Sequence, residues 1–446
     1  MVLSLTVKNF EPIRLEGSVP LELDFEEKNN VLIISKHQSY LTHGVHKFPA
    51  KFFPELPRYL ISKYSKLGDV VLDPMCGSGT TLLESILQNR HAIGVDIDPI
   101  AKMISKVKTT PIESSLLDEA REKMSILIDK RIKSNKKPNI PEFNYREKWF
   151  KSFVLEELGI IKEAILELSN SLHKKGDFSD SSISNLTNFL LIIFSSIIRG
   201  VSNADPNCTR TVIRKNIVKK TARFDTINKF FFNLDKQILG MKEFVNIHNR
   251  LYYKFVNIEK DSDARNLSIK ENSINLAVTS PPYANAVDYP RTHQLELYWL
   301  GLVNGDPLAK MKRDYIGTEA VFTYEYNKIP ETEYTKLNWL IKNVNGKDQR
   351  RAYILFRFFK DMEKNLQEVF RVLKPGARYC VVIGNNTVRD IYVKSHEIIT
   401  QMALSQNIGF ELETYFHSGL INHYIKIPRK ERMPGEWVLV FRKPNF

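Results

Sequence analysis

The residues with the clearest chemical potential are Thr279, Ser280, Pro281, Pro282 and Tyr283, which directly follow a short apolar run. Proline fixes φ and lacks a backbone N–H, so the two prolines predict a rigid corner at the end of a strand. At this corner, the Ser280 hydroxyl and a corner carbonyl can accept hydrogen bonds from an amino group, and Tyr283 can stack on a planar ring. The segment therefore predicts a site for a planar substrate that carries an amino group, with an ordinary strand-to-loop turn as the alternative.

A glycine-rich turn forms a second candidate site, in the sequence Asp73-Pro74-Met75-Cys76-Gly77-Ser78-Gly79-Thr80 between a predicted strand and a predicted helix. Gly77 and Gly79 allow the backbone to turn sharply and to approach a ligand closely. Asp96 ends the next predicted strand, at the edge where open α/β sheets bind ligands, and its carboxylate can accept from both hydroxyls of a ribose. The turn lacks the P-loop pattern, which disfavours a nucleoside triphosphate, and it lacks the GxGxxG fingerprint. The alternative is a structural turn between a strand and a helix.

These two segments resemble motifs of the amino-group DNA methyltransferases, the class I S-adenosylmethionine-dependent enzymes that make N4-methylcytosine or N6-methyladenine. Residues 279–283 resemble the catalytic motif of that family, and residues 73–80 with 94–99 resemble its cofactor motif. The resemblance covers residues 43–110 and 255–446. It implies an α/β fold, a Rossmann-like class I methyltransferase domain with a mixed sheet, and S-adenosyl-L-methionine as the cofactor.

The resemblance also implies roles for individual residues of the cofactor site. Asp73 would lie near the amino group of the methionine moiety, and Asp263 at the adenine edge, with a solvated loop as the alternative for Asp263. Residues 43–54 resemble the family's motif that closes over the methionine end, although a histidine or lysine in such a segment is often structural. The expected cofactor-binding residues are Lys47, Phe48, Pro49, Asp73, Pro74, Cys76, Gly77, Ser78, Gly79, Thr80, Asp96, Ile97, Asp263, Ala264 and Thr279. The expected catalytic residues are Ser280, Pro281, Pro282 and Tyr283, and no metal is expected.

The reaction that the resemblance implies is methyl transfer from a sulfonium to an exocyclic aromatic amine. Ring conjugation makes this amine a poor nucleophile, so the site must hold its N–H bonds and aim its lone pair at the methyl group. A base inside a duplex cannot reach such a pocket and has to flip out. Within the family, serine at the position of Ser280 is commoner in N4-cytosine enzymes, whereas aspartate or asparagine is commoner in adenine enzymes. The resemblance therefore favours cytosine N4 over adenine N6.

Two other functions stay open from the sequence. RNA methyltransferases that act on a guanine amino group share the glycine-rich turn, but they usually carry Asp-Pro-Pro-Tyr where this chain has Ser280 before the prolines. The second is a catalytically silent DNA-binding protein that keeps the fold, against which the intact Gly77, Gly79 and Asp96 argue. The favoured interpretation is a site-specific DNA methyltransferase of a restriction–modification system, with double-stranded DNA as the expected partner and a cognate restriction endonuclease as a further candidate.

The composition is consistent with a nucleic-acid partner. The chain has 446 residues, of which 43% are hydrophobic, and a formal net charge of +14 with a pI of about 9.3. This balance favours a polyanionic partner, although a generally lysine-rich proteome would give the same charge. The three cysteines are far apart, which disfavours a disulfide framework or a zinc site and suits a reducing cytoplasm. No signal peptide is recognisable, and the longest apolar run, 189–198, is too short to span a bilayer and predicts a buried helix.

The pattern of elements predicts four segments. They are an N-terminal extension (1–42), the cofactor-binding first half of the catalytic domain (43–110), a helical insertion for DNA or target recognition (111–254) and the catalytic second half (255–446). The stretch from 111 to 255 carries 25 Lys and Arg against 17 Asp and Glu, a net charge of +8. Strands are predicted over 70–72, 91–95, 274–278, 379–383 and 437–441, and helices over 80–89, 99–108, 352–373 and 396–406. Residues 305–350 predict a long polar loop.

A basic face is predicted within the insertion. Arg210 and Arg214 are four residues apart, and Lys215, Lys219 and Arg223 repeat that spacing, so each set would share one face of a helix. Such residues hold a duplex through its phosphates without selecting a sequence, although a run of charges is usually a solvated surface. Residues just after the catalytic motif also resemble a subset of the family and are candidate DNA contacts, with helix packing as the alternative. The expected nucleic-acid-binding residues are Arg210, Arg214, Lys215, Lys219, Lys220, Arg223, Asp288, Tyr289 and Arg291. No membrane partner is expected.

Overall fold

The fold is built on a mixed β-sheet with helices packed on both faces. The computed structural model describes residues 38–134, 136–214, 219–284, 287–303, 308–420 and 435–445, and the backbone of 13–16 and 30–34. The strands are β1 (Ile13–Glu16), β2 (Asn30–Ile34), β3 (Val70–Asp73), β4 (His91–Gly94), β5 (Val256–Ile258), β6 (Ile274–Thr279), β7 (Leu373–Gly384), β8 (Asn386–Val388), β9 (Ile391–Val393), β10 (Glu411–Leu420) and β11 (Gly435–Arg442). The helices are α1 (Glu55–Tyr64), α2 (Thr80–Leu87), α3 (Pro99–Thr109), α4 (Ser114–Lys133), α5 (Arg146–Trp149), α6 (Ser152–Lys175), α7 (Asp180–Val201), α8 (Asp225–His248), α9 (Tyr289–Thr292), α10 (Gln294–Leu300), α11 (Leu308–Asp314), α12 (Thr335–Asn345), α13 (Gln349–Val372) and α14 (Ser395–Ala403), with a 3-10 helix over Thr323–Tyr326.

Nine of the described strands form one sheet, in the order β1-β2-β10-β11-β7-β6-β3-β4-β5, and β8 pairs with β9 in a separate hairpin. β11 runs antiparallel to β10 and β7, whereas the other neighbours in the sheet are parallel. The chain passes from β3 outward to β4 and β5, and then returns to β6 on the other side of β3. β3 and β6 therefore flank the point where the strand order reverses, which is where open α/β sheets form a ligand-binding crevice. The expected Rossmann-like α/β class with a mixed sheet is confirmed.

The central strands are buried because successive residues face two different helical layers. On one side, α13 places Leu355, Phe359, Met362 and Leu366 three or four residues apart, and each is at most 1% exposed. This spacing puts the four side chains on one stripe of the helix, where they pack on the sheet together with α14. α1 covers the opposite side. Burial of each such side chain contributes about 1.5–3 kcal/mol, so the two layers hold the strand ends firmly.

Between α3 and β5 the described residues form only helices, α4 to α8, joined by turns and irregular chain. α7 is the core of this region, with Ile183, Phe189, Ile193 and Ile197 fully buried. Among the described residues, α7 is the one helix whose length and composition would allow it to cross a membrane. Its apolar side chains are buried against the neighbouring helices, as in a core helix, and the prediction of a buried helix over 189–198 is confirmed. The same hydrophobic cluster includes residues of α2 and α3, so the helical region packs directly on the β3-α2-β4-α3 unit.

The predicted helix face within residues 210–223 is wrong for the described residues, 210–214 and 219–223. α7 ends at Val201 and α8 begins at Asp225, and the described residues between them form turns and irregular chain. Among the described residues of this stretch, Ile213 is 43% exposed, so it gives little of the apolar packing on which most helices depend. The prediction of a helix therefore rested on the spacing of the charges alone. Lys215 lies outside the described residues.

The predicted polar loop over 305–350 is also wrong for the described residues from 308 onward. They contain α11, the 3-10 helix, α12 and the start of α13. α12 places Leu337, Leu340, Ile341 and Val344 at positions i, i+3, i+4 and i+7, and all four are buried. This is the spacing of an amphipathic helix, and the charged and aromatic residues around it obscured the pattern. The central strands and helices predicted elsewhere are present, although β7 begins at Leu373 rather than at 379.

Candidate active site

The glycine-rich turn joins β3 to α2 and requires both of its glycines. Gly77 has a φ of +49° and Gly79 a φ of +73°, in the left-handed region that glycine adopts without strain. A Cβ at Gly79 would lie 2.8 Å from the Ser105 Oγ of α3. Ser105 Oγ also donates to the Gly77 carbonyl at 2.8 Å, so α3 supports the turn from behind. The backbone of the turn is thereby pressed toward the space in front of the sheet.

Asp96 fixes the other side of this turn. One of its carboxylate oxygens accepts from the Gly77 N–H at 2.8 Å, and the other accepts from the Asp98 N–H at 2.8 Å. Asp98 in turn caps α3 by accepting from the Ile100 N–H at 2.9 Å. Burial raises the pKa of Asp96, and it raises the pKa of Asp98 to about 7. Backbone donors therefore hold both carboxylates in place and leave lone pairs for a ligand.

The predicted catalytic motif meets the glycine-rich turn directly. Thr279 at the end of β6 is fully buried, and its Oγ1 donates to Asp73 Oδ1 at 2.7 Å. Asp73 ends the neighbouring strand β3, so this bond ties together the ends of two parallel strands. Ser280 and Pro282 line the same pocket as Gly77. Burial raises the pKa of Asp73 to about 6.

The pocket between these elements has an empty volume of about 860 Å³, part of which is open to solvent. Four carboxylates line it, those of Asp73, Asp96, Asp98 and Asp263. Apolar and aromatic side chains form much of the remaining wall, namely Phe48, Phe52, Met75, Ile97, Tyr289, Tyr315 and Ile316. This lining suits a ligand that has a flat apolar part together with positive charge and hydroxyl groups.

Most of the predicted cofactor-binding residues line this pocket. They are Phe48, Asp73, Pro74, Cys76, Gly77, Ser78, Thr80, Asp96, Ile97, Asp263 and Ala264. Lys47, Pro49, Gly79 and Thr279 do not line it. Lys47 is exposed, whereas Gly79 and Thr279 support the turn and the strand end from behind. Lys51, which the sequence motif did not single out, lines the pocket, and its Nζ donates to two backbone carbonyls at 2.7 and 2.9 Å.

Asp263 and Ala264 are held at the pocket by polar contacts from other elements. The Asp263 carboxylate accepts from Arg265 Nε at 2.9 Å and forms an ion pair with its Nη2 at 2.6 Å. Arg265 also pairs with Asp361 of α13 at 3.3 Å. Asn365, one turn further along α13, donates from Nδ2 to the Ala264 carbonyl at 2.9 Å. Residues 263–265 are thus anchored to α13, and the Asp263 carboxylate still faces the pocket.

Tyr283 turns away from the cofactor side of the pocket and toward β11. Its hydroxyl donates to the Glu436 carboxylate. Burial raises the pKa of Glu436 and raises the pKa of Tyr283 well above its ordinary value. The bond fixes the tyrosine ring close to Ser280. No local sequence signal identified Glu436, because only the pairing of β11 with β7 brings it to this place, opposite Gly384.

A second depression adjoins the first. Its lining consists of Val287, Asp288, Tyr289, Pro290, Lys312, Tyr315, Ile316, Gly317, Thr318, Glu319 and Ala320. Asp288 accepts from the Arg291 N–H at 3.1 Å at the start of α9, and it pairs with Lys312 at 3.0 Å. Tyr289 belongs to both depressions, and its ring stacks on Phe48 with centroids 5.6 Å apart. The predicted residues 288 and 289 therefore border the catalytic motif, and Arg291 is exposed beside them.

The predicted basic residues of the insertion have different environments. Arg214 pairs with the buried Asp205 at 3.0 Å. Lys219 Nζ donates to two carbonyls at the end of α7, at 3.1 and 3.3 Å, so it caps that helix. Arg210 is exposed and approaches Glu319 to 3.8 Å, which places it at the second depression. Lys220 and Arg223 are exposed.

Comparisons with known proteins are consistent with this site. Residues 17–106 match the family model for N6 and N4 methyltransferases, described as "DNA methylase". Type II methyltransferase M.MvaI of Kocuria varians is 28% identical over 418 residues, which cover 89% of this chain and 86% of that protein. The family model and this relative support an amino-methyltransferase family for the chain.

Further relatives of this methyltransferase cover most of its length. Type II methyltransferase M.BsoBI of Geobacillus stearothermophilus is 23% identical over 433 residues, covering 84% of this chain and 80% of that protein. Among solved structures, a SAM-dependent methyltransferase from Methanosarcina mazei is 12% identical, with a TM-score of 0.32, and covers 87% of this chain and 98% of that chain.

S-adenosyl-L-methionine is the cofactor of the methyltransferase, and the residues of the pocket fit it. A molecule with an ammonium, ribose hydroxyls and an adenine amino group offers donors to the carboxylates of the lining, of which Asp263 is also paired with Arg265. The glycine-rich turn provides a cradle with little room for side chains, since a Cβ at Gly77 would lie 3.3 Å from the Phe48 ring. Thr80 Oγ1 is buried in this lining without a hydrogen-bond partner in the described part of the chain. Such an orphaned hydroxyl is satisfied when a polar ligand group reaches it.

Proposed function

We propose that this methyltransferase acts on double-stranded DNA in the cytoplasm and methylates the N4 amine of a flipped cytosine, as the modification enzyme of a restriction–modification system. The observation that carries the proposal is the position of Ser280 on the wall of the pocket that also contains Gly77 and Asp96. The bond of 2.7 Å between Thr279 and Asp73 supports it, because this bond fixes the two segments relative to each other. The relatives M.MvaI and M.BsoBI are named Type II methyltransferases, which supports DNA as the substrate.

In the proposed reaction, the protein holds the amine and aims its lone pair. The Ser280 hydroxyl and the Pro281 carbonyl accept from the two N–H bonds, and this contact favours the more tetrahedral nitrogen of the transition state. S-adenosyl-L-methionine supplies an electrophilic methyl group on a sulfonium, which is left as a thioether when the N–C bond forms and the C–S bond breaks. The amine proton leaves to solvent during or after transfer, so no side chain has to remove it beforehand. Tyr283, anchored by Glu436, supports the ring of the base.

The proposal of cytosine rests on Ser280, because serine at this position is commoner in the N4-cytosine enzymes that the motif resembles. Adenine N6 is the nearest alternative, since the same two acceptors would hold its amine equally well. Both bases must leave the duplex to reach the pocket.

The duplex is proposed to lie across the second depression. Arg210 and Arg291 are exposed at or beside it and can contact phosphates without reading sequence. Asp288 and Tyr289, which border both the depression and the catalytic motif, are proposed to contact the target base or its backbone. The exposed Lys220 and Arg223 add positive charge within the proposed recognition segment, 111–254.

The test is to express the chain in a host that lacks DNA methylation and to sequence the genomic DNA with modification-sensitive detection. Hydrolysis of the same DNA to nucleosides, followed by mass spectrometry, identifies the modified base. N4-methylcytosine at one recognition sequence is the expected result, and it should be absent when Ser280→Ala is expressed instead.

Other outcomes of this test would replace the proposal. N6-methyladenine would reassign the base. Methyl label that enters tRNA but not duplex DNA would favour the RNA guanine alternative. A chain that binds duplex DNA but gives no calorimetric signal with S-adenosyl-L-methionine would be a catalytically silent DNA-binding protein.

A further inference from the structure

Lys108 is a buried cation that the proposed reaction does not use. It lies in the last turn of α3 and is 1% exposed. Within the described part of the chain, its Nζ has one hydrogen-bond partner, Ser78 Oγ at 3.3 Å, and it forms no ion pair with a described carboxylate. An ammonium has three N–H donors, and a buried lysine is normally paired with an anion. The missing anion is therefore the feature of this residue that needs an explanation.

Lys108 lies directly behind the glycine-rich turn. Ser105, one turn earlier on the same face of α3, donates to the Gly77 carbonyl at 2.8 Å. Ser78, the partner of Lys108, lines the cofactor pocket. Lys108 itself does not line the pocket, and the side chain of Ser78 connects its ammonium to the lining.

Two more donors line the same pocket. Thr80 Oγ1 is buried in the lining without a partner among the described residues. Lys51 Nζ also belongs to the lining, and it is already bonded to two backbone carbonyls. Burial, followed by repulsion from Lys51, lowers the pKa of Lys108 well below its ordinary value. An anion bound between these donors would remove this penalty, because it would pair with the lysine and favour its charged form.

The cofactor carries one group of this kind, the carboxylate of its methionine moiety. The lining also holds four carboxylates, which suit cationic groups and repel an anion, so an anion in this pocket needs hydrogen-bond donors and positive charge close to it. We propose that Ser78, Thr80 and Lys108 form the binding site for the methionine carboxylate, with Lys108 supplying the positive charge behind Ser78. Lys108 is accordingly a cofactor-binding residue that lies outside the recognised motifs, nine residues after Pro99. The proposal rests on the cofactor and not on the choice of DNA or of cytosine.

The experiment compares two ligands that differ in the carboxylate alone, S-adenosyl-L-methionine and decarboxylated S-adenosylmethionine. Calorimetry at about pH 7, without nucleic acid, keeps both amino groups largely cationic. The wild-type chain should bind the carboxylate-bearing ligand about tenfold to a hundredfold more tightly, the range expected for a buried charge-assisted contact. Lys108→Met should lower the affinity for S-adenosyl-L-methionine by about the same factor, while the affinity for the decarboxylated ligand changes less than about threefold.

Matched variants separate this role from a structural one. Lys106→Met removes an exposed lysine from the same helix and should leave both affinities unchanged. Lys108→Arg keeps a cation and should restore part of the preference for the carboxylate. If Lys108→Met lowers the affinities for both ligands equally, the proposal is overturned and the role of the lysine is structural. An unchanged affinity for S-adenosyl-L-methionine would overturn the proposal as well. If Lys108→Met does not fold, the wild-type chain still decides, because equal affinity for the two ligands excludes a carboxylate site. Since no DNA is present, failure of the cytosine proposal cannot produce any of these results.

Discussion

Ser280 and Asp96 line one pocket, but we expect them to serve different partners, the amine and the cofactor. Ser280→Ala should lower turnover about a hundredfold or more, because an acceptor for the amine is lost, while cofactor affinity changes less than about threefold. Asp96→Ala should weaken cofactor binding about tenfold or more, because the carboxylate that orders the turn and faces the ligand is removed. Turnover at saturating cofactor and calorimetry without DNA measure the two effects separately. Equal losses of both quantities in each variant would contradict the division of roles.

Glu436 is a second single residue with an expected effect on turnover, because it accepts a hydrogen bond from the hydroxyl of Tyr283. Glu436→Ala should lower turnover about tenfold, because the ring loses its anchor and no longer holds the base in one orientation. Glu436→Gln keeps an oxygen that accepts from the tyrosine hydroxyl, so it should recover most of the activity. Cofactor affinity should be unchanged in both variants, as Tyr283 does not line the cofactor pocket. A glutamine variant as slow as the alanine variant would show that the negative charge matters rather than the position of the ring.

At the scale of elements, the turn between β3 and α2 depends on how closely α3 packs behind it. Gly79 and Gly176 have nearly the same φ, +73° and +75°, but a Cβ at Gly79 would lie 2.8 Å from Ser105 Oγ, whereas nothing lies within 4 Å at Gly176. Gly176→Ala should therefore lower stability only through its backbone conformation, by about 1 kcal/mol. Gly79→Ala must also displace α3, so it should lower the melting temperature more than Gly176→Ala does. It should also weaken the binding of S-adenosyl-L-methionine, which Gly176→Ala should leave unchanged. Thermal unfolding and calorimetry on the two variants test this, and equal losses of stability would show that the packing of α3 is unimportant.

The elements also show which parts of the fold a sequence can predict. The β3-turn-α2 unit and α13 were predictable, because glycines at a strand end and a regular apolar stripe are local signals. α12 has such a stripe too, but its exposed Trp339 and charged neighbours obscured it. In residues 210–223 the regular charges predicted a helix face, but the described residues 210–214 and 219–223 form turns and irregular chain.

The candidate site divides in the same way. Asp96 and Ser280 follow strands in recognisable motifs, so the sequence placed them near each other. Lys108 and Glu436 reach the site only through the packing of α3 behind the turn and the pairing of β11 with β7. No pattern local to either residue carries this information.

For the whole molecule, the net charge is +14, yet the pocket gathers four carboxylates. Burial raises the pKa of Asp73 to about 6 and that of Asp98 to about 7. Without a bound cation, the folded chain holds these carboxyls protonated below those values, so its stability decreases as the pH rises from their ordinary pKa of 3.8 to about 6 and about 7. A cationic ligand favours the ionised forms, so affinity for S-adenosyl-L-methionine should increase from about pH 5 to about pH 7, below the range in which the ligand's own amino group loses its proton. Calorimetry across this range tests the expectation, and a flat or falling affinity would contradict it.

A buried histidine makes the stability of the chain depend on pH in the opposite direction to the buried carboxyls. His293 is 2% exposed, neither ring nitrogen has a partner among the described residues, and the ring stacks on Phe48 with centroids 5.3 Å apart. Burial, with repulsion from His46 and Arg199, lowers its pKa from 6.5 to about 3. The neutral ring is thus the folded form, and its contribution to stability is complete above about pH 6.5 and decreases as the pH falls toward 3. His293→Phe keeps the stacked ring and removes the titration, so its stability relative to the wild type should improve by about 2 kcal/mol between pH 7.5 and pH 5.

Denaturant unfolding of both chains at the two pH values isolates this effect of His293. The buried carboxyls of the pocket titrate in the same range, but they contribute equally to the wild type and to His293→Phe and cancel in the difference. A difference that does not depend on pH would mean that the imidazolium of the folded chain finds a partner, and that the contact between α10 and the wall of the pocket tolerates a charge. A difference that grows as the pH falls would instead make the protonation of His293 one cause of acid unfolding, acting at the stack that supports Phe48 beside the cofactor.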